Sequence, residues 1–276
     1  MGGAAEVAPL RGGPEQGGGQ VILPNVRAGF GAPEIESAID ALRGVHEESA
    51  AEAEERLARD GLDSVLDDPR VLNALLGGER TTAERPPLPL LLYVFVRHAL
   101  LEGGVDDSTL SDYVAALLLS FGQGDCGPRP DGEDYRYEYL TDLLERIEGA
   151  RGPTVFLLQA HMGDTALWLS GVFPDRVTAR VQRRGAPGLD YFETLGAAGY
   201  QAAARSRLAA AHGLDGVLER CGRLFPALRV SLNRISDRYF FPRAADPVER
   251  LLRQTADIAV ERENWRIDPT DGRFDA

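Results

Sequence analysis

Apolar residues in this chain recur at helical spacing, and no stretch replaces that spacing with strand-like alternation. From Pro33, the residues Ile35, Ile39, Leu42 and Val45 return every three or four positions, which places them on one face of a 3.6-residue helix. A second stripe comprises Leu110, Val114, Leu117, Leu118 and Phe121, and a third Tyr139, Leu140, Leu143, Leu144 and Ile147. Another run starts at Pro153 and passes Phe156, Leu157, Ala160, Leu167 and Leu169 to about Gly171. Phe225 to Ser231 is the nearest approach to a strand, and no Asn-Gly or Asp-Gly turn separates two alternating segments. The expected fold is therefore all-α: one multi-helix domain of eight to ten helices, without an internal repeat.

Punctuation divides the chain. Residues 1–31, with Gly2-Gly3, Gly12-Gly13 and Gly17-Gly18-Gly19, lack the apolar content to offset their ordering entropy and are expected to form a disordered tail. Within it, Val21-Ile22-Leu23-Pro24 is read as linker aliphatics rather than a docked segment. The helical domain is expected over 32–265, with the Gly- and Pro-rich loop at 122–133 as a candidate subdomain boundary and 266–276 frayed. Asp107 or Ser108 can cap a helix, Asp190 with Glu193 resembles a capping box, and Asp246-Pro247-Val248-Glu249 is a strong start signal.

Composition closes several mechanisms. All 30 basic residues are arginine. Without lysine there is no Schiff base, hence no pyridoxal-phosphate or lysine-aldolase chemistry, and no P-loop lysine for nucleotide hydrolysis. Cys126 and Cys221 match no metal or redox spacing and are read as reduced thiols. The longest apolar stretch, Leu88 to Val96, is nine residues, whereas a bilayer needs about 20. A soluble, cytoplasmic protein without a secretory signal or membrane contact is expected.

Charge is segregated. Residues 1–150 hold 12 Arg against 28 Asp and Glu, while residues 176–253 hold 14 Arg against 7 acids, inside a chain of net charge −13. Arg176, Arg180 and Arg183 or Arg184 form a stripe if their segment is helical, suited to carboxylates or phosphates. Internal pairing with the acidic half is the simpler explanation; a small anionic ligand or acidic protein face is the alternative. The global charge repels nucleic acid, and no nucleic-acid-binding motif is present.

Candidate chemistry is sparse. None of His46, His98, His161 and His212 has a second His or Cys at metal-ligand spacing, so no metal site or cofactor is expected. His161 and Asp164 are neighbours on a helix and form the one candidate acid–base pair. Trp168, Arg180, Arg183, Arg184, Tyr191 and Tyr200 are candidates to line a ligand site around them. In the segment Gly196-Ala197-Ala198-Gly199 to Ala204, small residues four apart, Ala198 with Ala202 and Gly199 with Ala203, allow a second helix to approach closely, within the chain or between chains.

The segments Gly163-Asp164-Thr165-Ala166-Leu167, Gly171-Val172-Phe173-Pro174 and Leu189-Asp190-Tyr191-Phe192-Glu193 with the later Tyr200 resemble a group of uncharacterised bacterial helical proteins over roughly forty residues. The resemblance implies a bacterial origin and a helical core containing Asp164, Phe173, Tyr191 and Tyr200, and it carries no activity. The expected function is a non-catalytic regulatory or scaffolding module acting by protein partnership or self-association. The alternatives are a small-molecule site, and hence a possible enzyme, at His161 and Asp164, or an anion-responsive switch on the arginine stripe.

Overall fold

The computed structural model describes residues 21–45, 47–76, 86–123, 138–242, 250–255 and 257–258. These contain thirteen α-helices, a further helical segment at 250–255 and 257–258, a 3-10 turn at Arg27–Gly29 and a π turn at Ser236–Phe240, and no strand. The first four helices are α1 (Ala32–Val45), α2 (Glu47–Asp60), α3 (Leu62–Leu66) and α4 (Pro69–Leu76). A hairpin follows, α5 (Leu88–Glu102) and α6 (Ser108–Gly122), then α7 (Glu138–Gly149), α8 (Pro153–Val172) and α9 (Pro174–Arg184). The last four are α10 (Leu189–Ala204), α11 (Arg207–Ala211), α12 (Asp215–Arg223) and α13 (Phe225–Ile235).

The count exceeds the expected eight to ten because short breaks produce additional one- to three-turn helices. Gly61, at φ 84°, separates α2 from α3, and Pro69 starts α4 after Asp67 and Asp68. Pro174 ends α8 and opens α9, whose own end is Gly185 in the left-handed conformation. Phe225 to Ser231, the nearest approach to a strand, lies in α13.

The tail expected over 1–31 does not hold from Val21 onward. Val21 and Ile22 are each 3% exposed and belong to the core, so the Val21–Pro24 segment docks rather than links. Asp112 fixes its exit by accepting a hydrogen bond from the Arg27 backbone N–H at 2.8 Å. Residues 1–20, Cys126, most of the 122–133 loop, the Asp246–Glu249 start signal and 266–276 lie outside the described residues.

Helix α8 is the axis of the molecule. Every residue from Ala160 to Pro174 is buried, as a helix apolar on all sides requires. It packs against α10 and α13, with α7 and α6 also in contact. The α8–α10 crossing is close because it is built on glycine: a Cβ at Gly163 would lie 2.5 Å from the Tyr200 ring, and one at Gly199 would lie 2.8 Å from the Gln159 carbonyl oxygen. The small-residue face therefore packs inside the chain through Gly199 and Ala203, whereas Ala198 is exposed.

The α5–α6 hairpin backs this pair. Asp107 is the cap, accepting from the Leu110 N–H at 2.9 Å. The Asp190–Glu193 capping box does not form: Gly188 precedes α10 without a side-chain cap, and Glu193 instead reaches the Arg229 guanidinium. No helix among the described residues is long and apolar enough to cross a membrane.

Candidate functional site

Polar side chains on the buried α8 form a cluster inside the core. Asp164 is fully buried, and its Oδ1 accepts hydrogen bonds from Tyr113 Oη at 2.7 Å and Tyr200 Oη at 2.8 Å. The two rings meet edge to face, with centroids 6.1 Å apart. Burial pushes the Asp164 carboxyl up to about 7, against the two phenolic hydrogen bonds that favour its ionised form. Both phenols, and the nearby Cys221 thiol, are held well above their ordinary values by burial and then by the Asp164 charge. The cluster thus holds one proton that titrates near neutrality, while the thiol stays protonated and unreactive.

His161, one turn earlier, faces a different neighbourhood. Its ring is 6.1 Å from that of Phe121, which also packs 5.5 Å from Trp168. Burial, followed by the Arg146 cation, holds His161 down to about 4. The two hydrogen bonds that Asp164 accepts are phenolic, and neither His161 nor Asp164 contributes to the shift of the other. The spacing of three places them on one helix, with Asp164 Oδ1 directed to the two phenols. Asp164 Oδ2, Thr165 Oγ1 and Trp168 Nε1 are buried without a hydrogen-bond partner among the described residues.

The other candidates scatter. Tyr200 joins Asp164, and Trp168 stacks among Phe121 and Phe173. Tyr191 is half-buried against Phe192, while Asp164, Phe173 and Tyr200 are core residues. The arginine stripe lies on α9: Arg176 sits over the Phe173 ring, Arg180 is half-buried and Arg183 is exposed. The Arg184 side chain lies outside the described ones. Tyr113, the second donor to Asp164, went unnoticed inside an apolar stripe; its signal was a phenol among aliphatics, where a buried hydroxyl needs a partner.

A second polar cluster, unforeseen from sequence, joins α13 to the helical segment formed by residues 250–255 and 257–258. Arg229, 4% exposed at its side chain, binds Glu193, Asn233 and Asp257, the last two at 2.8 Å. Arg253, equally buried, donates to Asp237 at 2.7 Å and Asp175 at 3.2 Å. Asn233 in turn donates to the Ser170 and Gly171 carbonyls at 2.8 and 2.7 Å, closing the α8 C-terminus. Burial opposes the Arg229 charge, but Asp257 and Glu193 outweigh it and hold its pKa above the ordinary value.

Much of the basic segment is accordingly paired within the chain: Arg220 with Asp107 at 2.6 Å and Arg238 with Glu102 at 3.0 Å reach the acidic half, while Arg229, Arg250 and Arg253 find carboxylates nearby.

Residues 250–258 have an inverted polarity. Arg253 and Asp257 face inward, 6% and 7% exposed, while Leu251, Leu252 and Ile258 are 62%, 67% and 49% exposed. At 100° per residue, positions 251 and 252 fall on the side away from 250, 253 and 257, and Ile258 lies at the edge of that side, where it also borders a cavity against α13. Among the described residues, no group of three or more His, Cys, Asp or Glu side chains could hold a metal ion. Comparison with known proteins gives no family, no curated relative and no solved structure that matches the chain.

Proposed function

We propose that this protein is a non-catalytic association module, of regulatory or scaffolding type, that pairs with a second copy of itself through the outer face of residues 250–258. The observation that carries this reading is the inverted helix: its ions face the protein and its leucines face solvent. A surface helix ordinarily does the opposite. Contiguous exposed aliphatics are a common mark of an interaction surface.

Charge favours a second copy as the occupant. Arg183, Arg205, Arg207 and Arg223 are exposed without an ion pair among the described residues, and so are Glu55, Asp142, Glu145 and Glu148. One chain therefore presents both signs needed to align with another. Light scattering of the full chain between about 1 and 200 µM, at low and high salt, tests this; the range brackets common homodimer affinities. A mass near twice 29.9 kDa is expected, weakened by salt and abolished by Leu251→Glu with Leu252→Glu. A monomer throughout would sink the reading.

A small-molecule site at His161 and Asp164 is the second reading. It is favoured by the unpartnered Asp164 Oδ2 and Thr165 Oγ1 side by side in sequence within the core, since buried polar atoms ordinarily have partners. A small molecule that co-purifies with the protein and is lost in Asp164→Leu would support it; identical ligand content in both proteins would end it.

A further inference from the structure

Between α13 with its π turn and residues 250–258 lies a half-open cavity of about 310 Å³, at the lower end of the ~300–1,000 Å³ range of small-ligand sites. One wall is α13 and the π turn, contributing Val230, Arg234, Asp237 and Arg238; the other contributes Gln254, Asp257 and Ile258. We propose that this cavity binds a free α-amino acid with an aliphatic side chain.

The argument is one of sign and shape. Two carboxylates and two guanidiniums line the cavity together. A simple anion would lie beside Asp237 and Asp257, whose charges Arg229 and Arg253 offset in part, and a simple cation would lie beside Arg238. A ligand bearing an ammonium and a carboxylate on one carbon meets both kinds of wall.

Donors and acceptors remain for it. Among the described residues Arg238 engages Glu102 alone, through Nη1, leaving Nε and Nη2 of its five N–H donors for a ligand carboxylate. Asp257 accepts from Arg229 at Oδ1 and, over 3.4 Å, from Arg253 at Oδ2, so lone pairs remain for an ammonium. Gln254 donates to Asp237 Oδ2 at 3.0 Å, which leaves its carbonyl oxygen as a further acceptor. Val230 and Ile258, from opposite walls, supply aliphatic contact for the ligand side chain.

The buried pairs beneath hold the carboxylates in place. Arg253 grips Asp237 with bonds of 2.7 and 2.9 Å, and Arg229 holds Asp257 at 2.8 Å. The cavity is thereby organised before any ligand arrives, which lowers the ordering cost of binding.

Isothermal titration calorimetry on the full chain tests the proposal with L-leucine, 4-methylpentanoate, which lacks the ammonium, and isoamylamine, which lacks the carboxylate. The expected result is saturable binding of L-leucine, with each singly charged analogue at least tenfold weaker. Arg238→Gln, at a half-exposed side chain that can be replaced without disturbing the core, should weaken L-leucine at least tenfold while leaving the melting temperature unchanged. Gln254→Leu should weaken it through loss of the acceptor. Equal binding of either analogue, unchanged affinity in both variants, or no heat with L-leucine up to about 10 mM, a concentration that would reveal even millimolar affinity, overturns the assignment.

Discussion

His161 and Asp164 lie three residues apart and titrate in opposite senses. The Asp164 carboxyl rises from 3.8 to about 7. Between about pH 4 and 7 the unfolded chain has released a proton that the native state keeps, so this group lowers stability as pH rises and its penalty is constant above 7. The His161 imidazole falls from 6.5 to about 4. Below about pH 6.5 the unfolded chain gains a proton that the native state refuses, so this group lowers stability as pH falls to about 4. The two slopes oppose one another over most of the window.

Asp164→Asn should therefore gain stability relative to the parent protein between pH 4.5 and 7, by up to a few kcal/mol, because the amide keeps an oxygen for both phenols. His161→Gln should gain relative to the parent as pH falls across the same window. Urea unfolding at several pH values measures both differences, and curves parallel to the parent would refute both shifts. Tyr113→Phe should cost about 1–2 kcal/mol and move the Asp164 titration further upward, since one of the two donors that favour the ionised carboxylate is gone.

At the level of the element, glycine sets how near α8 and α10 can come. A Cβ at Gly199 would meet backbone atoms, the Gln159 oxygen at 2.8 Å and the Gly163 nitrogen at 3.1 Å, and backbone cannot swing aside as a side chain can. Gly199→Ala should cost about 1–3 kcal/mol, whereas Ala198→Ser on the exposed face of the same helix should stay within about 0.5 kcal/mol. Thermal unfolding of the two variants separates them, and equal melting temperatures would deny the close approach. The Gly199 and Ala203 spacing was readable in the sequence, as were α6 and α8, because long apolar runs fix a helix by burial alone. The short helices α3 and α4 were not, since one or two turns carry too few positions to show a period. Glu193 had the spacing of a capping residue, yet Arg229 from α13 offers it a charged partner in a buried setting, and tertiary pairing overrode the local motif. The polarity of residues 250–258 was hidden for a related reason: periodicity divides a helix into two faces, and the buried carboxylates that draw the charged face inward come from distant positions.

Over the whole molecule, two kinds of adhesion hold the chain together. The body around α8 is joined by apolar burial and close backbone contact, while residues 250–258 are tied to it largely by guanidinium–carboxylate pairs. Arg253 alone bridges Asp175, Asp237, Asn233 and Asp257, and Arg250 adds Asp175 and the Phe241 carbonyl. Removing one partner from a buried network leaves the others charged and unpaired, at a cost of roughly 3–5 kcal/mol. That loss need not spread, because the apolar side chains of this segment already face solvent and contribute little to the common core. Arg253→Gln should therefore open residues 250–258 as a separate unit. Amide hydrogen exchange should accelerate by two or more orders of magnitude there, as expected when roughly 3 kcal/mol of local protection is lost, with α8 protected as in the parent. The same variant should lose concentration-dependent association, because its docking face would no longer be held rigid. Exchange that quickens equally in α8 and in the terminal segment would mean that the ionic cluster belongs to the cooperative core, and that the outward leucines stand on a foundation as firm as the rest of the bundle.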